Sequence, residues 1–176
     1  MLWLTVVACI PLLILLVIVI IGRFLPRKHV VTRRANYRVP AERVWDALTN
    51  HREMNVWRTD LRRVLRARGK GDLAAWQEVG RFTKREVTVT TSRPPFRLSA
   101  NIINGVVPMK GVLKMHIKPA GAGSMLTITE EAEIPSPLFR FAARYIVGLH
   151  APLDIRLQAL GRHFRERVQP EDGEHI

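Results

Sequence analysis

From Leu2 to Gly22 the chain reads LWLTVVACIPLLILLVIVIIG, without one charged residue. About twenty apolar residues at 1.5 Å rise is what crossing a hydrocarbon core of roughly 30 Å requires. The run therefore predicts a single membrane-spanning helix, because lipid offers no partners for free backbone N–H and C=O groups. Pro11 removes one helical hydrogen bond and predicts a kink. A cleaved signal peptide would show a basic leader, a shorter apolar core and a small-x-small cleavage site. Here no Lys or Arg precedes the run, and Arg-Phe-Leu-Pro-Arg-Lys comes directly after it. Arg23, Arg27, Lys28, Arg33 and Arg34 all lie after the run. That asymmetry predicts an N-terminus outside and a cytoplasmic C-terminal domain at an inner or plasma membrane.

The resulting division is an anchor over 1–23, a basic juxtamembrane linker over 24–29, a folded domain over 30–168 and a polar tail over 169–176 that frays. Beyond the anchor, the remainder of the 176-residue chain suffices for one domain with a real core. The formal net charge of +13 falls on that domain, since the apolar run carries none. Such charge is drawn to anionic lipid head groups, at about 1 kcal/mol per well-placed Lys or Arg. Nucleic acid is not expected as a partner, because no recognised motif appears and the basic residues are spread along the chain. Cys9, the single cysteine, lies in the apolar run, which excludes disulfides and a cysteine metal site from the domain.

Within the domain, Val30–Arg38 reads as a first strand and Pro40 opens a short helix with Val44, Trp45 and Leu48 on one face. Asn50 closes it, and a second helical piece runs from about His51 to Trp57. Strands come next near Leu61–Arg68, Ala74–Gly80, Arg81–Thr91 and Phe96–Ile103, with turns at Gly69–Asp72, Gly80, Arg93–Pro95 and Asn104–Gly105. Leu113, Met115 and Ile117 alternate with Lys114, His116 and Lys118. Beyond the turn at Pro119–Ser124, Leu126, Ile128, Ala132 and Ile134 alternate with Thr127, Thr129, Glu131 and Glu133. Both patterns predict half-buried strands paired as a hairpin, with Lys opposite Glu or Thr on the wet face. From Ser136 apolar residues recur at spacings of three and four to about Val168. This predicts one long amphipathic helix bent at Gly148 and Pro152.

That order is an α+β plan. The segment Val39-Pro40-Ala41-Glu42-Arg43-Val44-Trp45-Asp46-Ala47-Leu48-Thr49-Asn50, with Trp57-Arg58-Thr59-Asp60-Leu61 after it, resembles the opening of the START-like (SRPBCC) superfamily of polyketide cyclase/dehydrase and lipid-transport domains. The resemblance implies a helix-grip fold, a curved antiparallel sheet around a long C-terminal helix, here preceded by one transmembrane helix. It also implies a hydrophobic cavity between sheet and helix. It does not choose among the family's ligands and chemistries.

Expected cavity-lining residues on the sheet side are Leu98, Ile102, Leu113, Met115, Ile128 and Glu130, with Trp57 beside them. Phe141, Ala142, Tyr145 and Leu149 are expected from the helix, Ala142 as the smallest member marking room for a ligand. Glu130 shares the inward phase of Ile128 and Ala132. It either meets a basic neighbour or a ligand polar group, or a bulge or strand end lets it reach water, which is the reading the sequence favours. His116 reads as exposed, and His150 lies near the helix bend. No phosphate loop, nucleophile elbow or helix-borne pair of metal-binding histidines is present, so no catalytic residue, metal or cofactor is expected. The expected function is membrane-tethered binding of a hydrophobic small molecule, lipid or isoprenoid-like. A cyclase-type enzyme using Glu130, His150 and Tyr145 is the first alternative. The second is a non-catalytic scaffold for an unknown protein partner or an anionic membrane.

Overall fold

The computed structural model describes residues 2–67, 74–80, 84–93, 97–104 and 109–175, with side chains described from Cys9 onward except at 51, 52 and 104. The first helix, α1, is Leu2–Phe24. Strand β1 (Lys28–Tyr37) leads to helices α2 (Ala41–Thr49) and α3 (His51–Trp57). Strands β2 (Leu61–Ala67), β3 (Ala75–Gly80), β4 (Lys84–Arg93), β5 (Arg97–Asn104), β6 (Met109–Ala120) and β7 (Gly123–Glu133) come next. Helix α4 (Pro137–Ala142), a π-helical turn over Ala143–Val147, α5 (Ala151–His163) and the short strand β8 (Glu171–Asp172) complete the chain. All strands join one eight-stranded antiparallel sheet in the order β2-β3-β4-β5-β6-β7-β1-β8. The turns expected at Gly69–Asp72, Pro94–Pro95 and Gly105 lie outside the described residues.

The spanning helix is not met. Among the described residues no helix is long and apolar enough to cross a membrane. The orientation, the cytoplasmic placement and the bilayer partner inferred from that span fall with it. The C-terminal end of α1 packs on α4 instead. At Gly22 any Cβ would run into the backbone carbonyl of Pro137, so the two helices meet where only glycine allows it. Buried Arg140 clamps this junction, donating from Nη1 to the Leu25 carbonyl at 2.6 Å and from Nη2 to that of Pro135 at 3.4 Å.

The expected β6–β7 hairpin forms, with Leu113 opposite Glu130 and Met115 opposite Ile128. One face of the sheet carries the core. Val31, Ala35 and Tyr37 of β1, Val87 and Val89 of β4, Ile102 of β5, Leu113 of β6 and Ile128 of β7 are buried there, against Val44, Leu48, Met54 and Trp57 of α2–α3 and Leu153, Leu157 and Leu160 of α5. Full burial of one such side chain contributes about 1.5–3 kcal/mol. The indole N–H of Trp57 donates to the Ala47 carbonyl at 2.9 Å, and the Tyr37 hydroxyl to the Leu157 carbonyl at 3.0 Å. Both polar tips are therefore satisfied inside.

Two further expectations are corrected. The C-terminal helix is broken, not merely bent. Gly148 takes φ 82° and ψ 133°, a conformation outside any helix, and Pro152 lies in the first turn of the new helix α5. The tail is not frayed. It returns to the sheet edge, where β8 pairs with β1 and Arg33 and Arg34 reach Asp172 and Glu171. Gly173 comes against Thr32 and Thr127 on the outer face of the sheet. This cover explains why Thr127 and Thr129, expected to be wet, are buried, with the Thr129 hydroxyl 2.9 Å from that of Thr32.

Candidate functional site

Where the helix breaks, a cavity of about 470 Å³ opens between the sheet and the α4–α5 segment. It lies between the main core and a small second apolar cluster of Met109, Ala132 and Ile134 with Phe139 and Ala143. Phe139, Ala142, Ala143 and Val147 from α4 and the π turn form one wall, and Gly148, Leu149, Pro152, Leu153 and Ile155 continue it into α5. Met109 and Ile134 supply apolar surface from the sheet side.

Polar groups are concentrated opposite that wall. Arg58 and Asp60 lie just after α3, Arg85 comes from β4, Arg156 from α5, His29 from β1 and Glu130 from β7, and all six line the cavity. Behind them stands Glu78 of β3, 1% exposed. Its carboxylate accepts from Arg58 at 3.0 and 3.2 Å, from Arg156 at 3.4 Å to each oxygen, and from the Trp76 indole at 3.3 Å. Arg58 also reaches both oxygens of Asp60 at 2.9 Å. A buried carboxylate survives only with such partners.

These contacts set the protonation preferences. Burial alone would raise the Glu78 carboxyl, but the guanidinium groups of Arg58 and Arg156 overcome it and hold Glu78 down to about 2. Burial, followed by the neighbouring Arg58, pulls Arg156 down to about 10 against the attraction of Glu78. For Arg58 burial opposes the charge, yet Glu78 and Asp60 prevail and raise it. Burial lowers His29, and the Glu130 carboxylate partly offsets that.

Of the residues expected to line a cavity, Glu130, Ala142 and Leu149 line this one. Glu130 is 7% exposed, and its pairing with Leu113 and Val31 is unbroken, so neither a bulge nor a strand end carries it to water. Trp57, Leu98, Ile102, Leu113, Met115 and Ile128 belong to the packed core. Phe141 and Tyr145 contact each other at 4.9 Å between ring centroids, and Tyr145 is exposed. Tyr145 falls within the π turn, off the stripe that a continuous α-helix would have kept. His150 is exposed before α5 and does not line the cavity.

Sequence reasoning missed His29, Arg58, Asp60, Glu78, Arg85 and Arg156. A signal existed for two of them. Arg156 sits three residues after Leu153 on the apolar stripe, and Glu78 shares the inward phase of Trp76. Among the described residues no group of three His, Cys, Asp or Glu could hold a metal ion.

The sheet, the helical cover and the cavity between them define a ligand-pocket architecture. Residues 28–165 match the family model for polyketide cyclase / dehydrase and lipid transport, and the chain belongs to that family. No curated protein matches it in sequence. Many solved structures share its fold, three of which follow. An uncharacterized protein from Rhizobium leguminosarum superposes with TM-score 0.62 at 13% identity, covering 78% of this chain and 95% of that one. A protein from Rhodobacter sphaeroides gives 0.55 at 20% identity, covering 78% and 94%. CalU16 from Micromonospora echinospora gives 0.54 at 18%, covering 77% and 74%.

Proposed function

We propose that this protein binds a hydrophobic small molecule, of lipid or isoprenoid-like character, in the cavity under the α4–α5 segment. The observation that carries the reading is the cavity itself, about 470 Å³ of space between two apolar clusters, within the size range of ligand pockets. A collapsed interior, as a pure scaffold would have, leaves no such space. Family membership supports the same reading, since lipid transport is among the activities for which the family is described.

One observation favours a second reading, a cyclase-type enzyme. His29 and Glu130 line the same cavity, and the carboxylate acts electrostatically on the imidazole. A group with a carboxylate and a neutral imidazole at hand can move protons on a bound polyketone. Native mass spectrometry of the purified full chain separates the outcomes. A co-purifying apolar molecule of defined mass supports binding, and its chemical conversion on incubation, lost in Glu130→Gln, supports the enzyme. A chain free of ligand that also takes up no fluorescent fatty-acid probe contradicts both.

A further inference from the structure

The α4 wall of the cavity has a second neighbour. Phe139 and Ala142 of α4 line the cavity, while α4 also packs on the end of α1, where buried Gly22 leaves no room for a Cβ against the Pro137 backbone. Arg140 lies in that junction. It is 5% exposed, and among the described residues no carboxylate pairs with it. Its two terminal nitrogens donate to the carbonyls of Leu25 and Pro135, and its Nε has no hydrogen-bond partner. A buried cation without a counter-ion is unfavourable. Here the compensation comes from α1. Leu25 is the first residue after that helix, and a helix C-terminus gathers carbonyls without intrahelical partners and roughly half a negative charge, which favours a cation beside it. Arg23, in the last turn of α1, is exposed and is solvated by water instead. The chain leaving α1 then runs into the cavity wall. The Arg27 carbonyl accepts from the Ile134 amide at 2.9 Å, and both Ile134 and His29 line the cavity.

We propose that α1 is a latch on the cavity, with Arg140 as the positioning residue that couples the two. While α1 is docked, its C-terminal carbonyls compensate Arg140 and hold the α4 wall against the cavity. When α1 moves off, Arg140 loses that compensation and must reach water, and it carries Phe139 and Ala142 of the same short helix with it. Anything that favours the undocked α1 therefore shifts the wall towards open. The role of the latch in ligand exchange rests on the binding reading above. The coupling of α1 to α4 stands on contacts that need no ligand.

The test reads both levels on the full chain, with Gly22→Ala to push α1 off Pro137 and Arg140→Gln to remove the charge. Stopped-flow uptake and release of a fluorescent fatty-acid probe should both quicken about tenfold in these variants, as loosening a gate does. Hydrogen exchange of the Ile134 amide should rise about tenfold relative to that of Ile128 in the middle of β7, because local opening moves the first and only global unfolding moves both. Arg140→Lys, which keeps a charge for the helix end but loses the fork, should fall between parent and Arg140→Gln. Leu157→Ala, which loosens the filled core, should leave the Ile134 to Ile128 ratio as it is. An unchanged ratio in Gly22→Ala and Arg140→Gln, or an equal rise in Leu157→Ala, overturns the latch. Should Gly22→Ala or Arg140→Gln fail to fold, Arg140→Lys supplies the same readouts. If the parent protein takes up no probe, the binding reading fails, and the Ile134 amide still decides whether α1 holds the wall.

Discussion

The interior has two regions that share one sheet and differ in their cover. Beside β1 and α3, the continuous helix α5 lays Leu153, Leu157 and Leu160 into the main core at spacings of four and three, and the space is filled. A few residues upstream the helix is broken at Gly148, the π turn re-aims its side chains, and a cavity remains. The polar residues gather at the boundary between the two. Unbroken helical periodicity therefore closes this fold, and interrupting it is what leaves room for a ligand.

The largest effect that sharpens this contrast is expected at the boundary. Glu78→Gln leaves Arg58 and Arg156 buried without their shared anion and should cost about 3–5 kcal/mol in chemical denaturation. The same residue makes stability depend on pH. Its carboxyl is held at about 2 in the fold against 4.5 ordinarily, so its contribution is complete above about 4.5 and is lost as pH falls towards 2. Glu78→Gln should flatten the acid limb of a stability-versus-pH curve, and an unchanged limb would contradict the pairing.

In the filled region, Leu157→Ala removes a fully buried side chain and should cost about 2–5 kcal/mol by thermal or chemical melting. A loss well below 1 kcal/mol would mean that the packed half is not tightly filled. At the break, Gly148→Ala meets only the Ala151 Cβ at 4.0 Å, so its cost is the backbone conformation alone, about 1–3 kcal/mol. If the variant melts like the parent, the break does not depend on glycine. The smallest effect is expected far from both regions. Arg34→Ala at its exposed pair with Glu171 should change stability by less than about 1 kcal/mol.

The strands were legible because β6 and β7 alternate cleanly, and their register places Glu130 inward as its phase implied. Its burial was not legible, because the cover comes from α5 and β1, distant in sequence. The C-terminal helix was readable as amphipathic, but periodicity alone does not distinguish a bend from a break beside a π turn. For that reason Tyr145, in the π turn, was expected in the cavity and does not line it; Phe141, in α4, does not line it either. The arginines were hidden by the chain's own charge. Among 28 Lys and Arg residues, Arg58, Arg85 and Arg156 look like solvated surface until the fold assembles them around Glu78. The tail's return to β1 depends on Arg33 and Arg34 finding Asp172 and Glu171 across most of the chain, which no local pattern reports.

The contrast between the filled and open regions is tested most directly by Ala142→Trp, read with one fluorescent fatty-acid titration and one melting curve on the full chain. Ala142 lines the cavity wall beside Phe139 and Ala143. If the space is a ligand site, the indole fills it, probe affinity falls at least tenfold and stability changes by less than about 1 kcal/mol. A destabilisation of about 1–3 kcal/mol or more, as overpacking a closed core produces, together with no probe binding by the parent protein, would contradict the account.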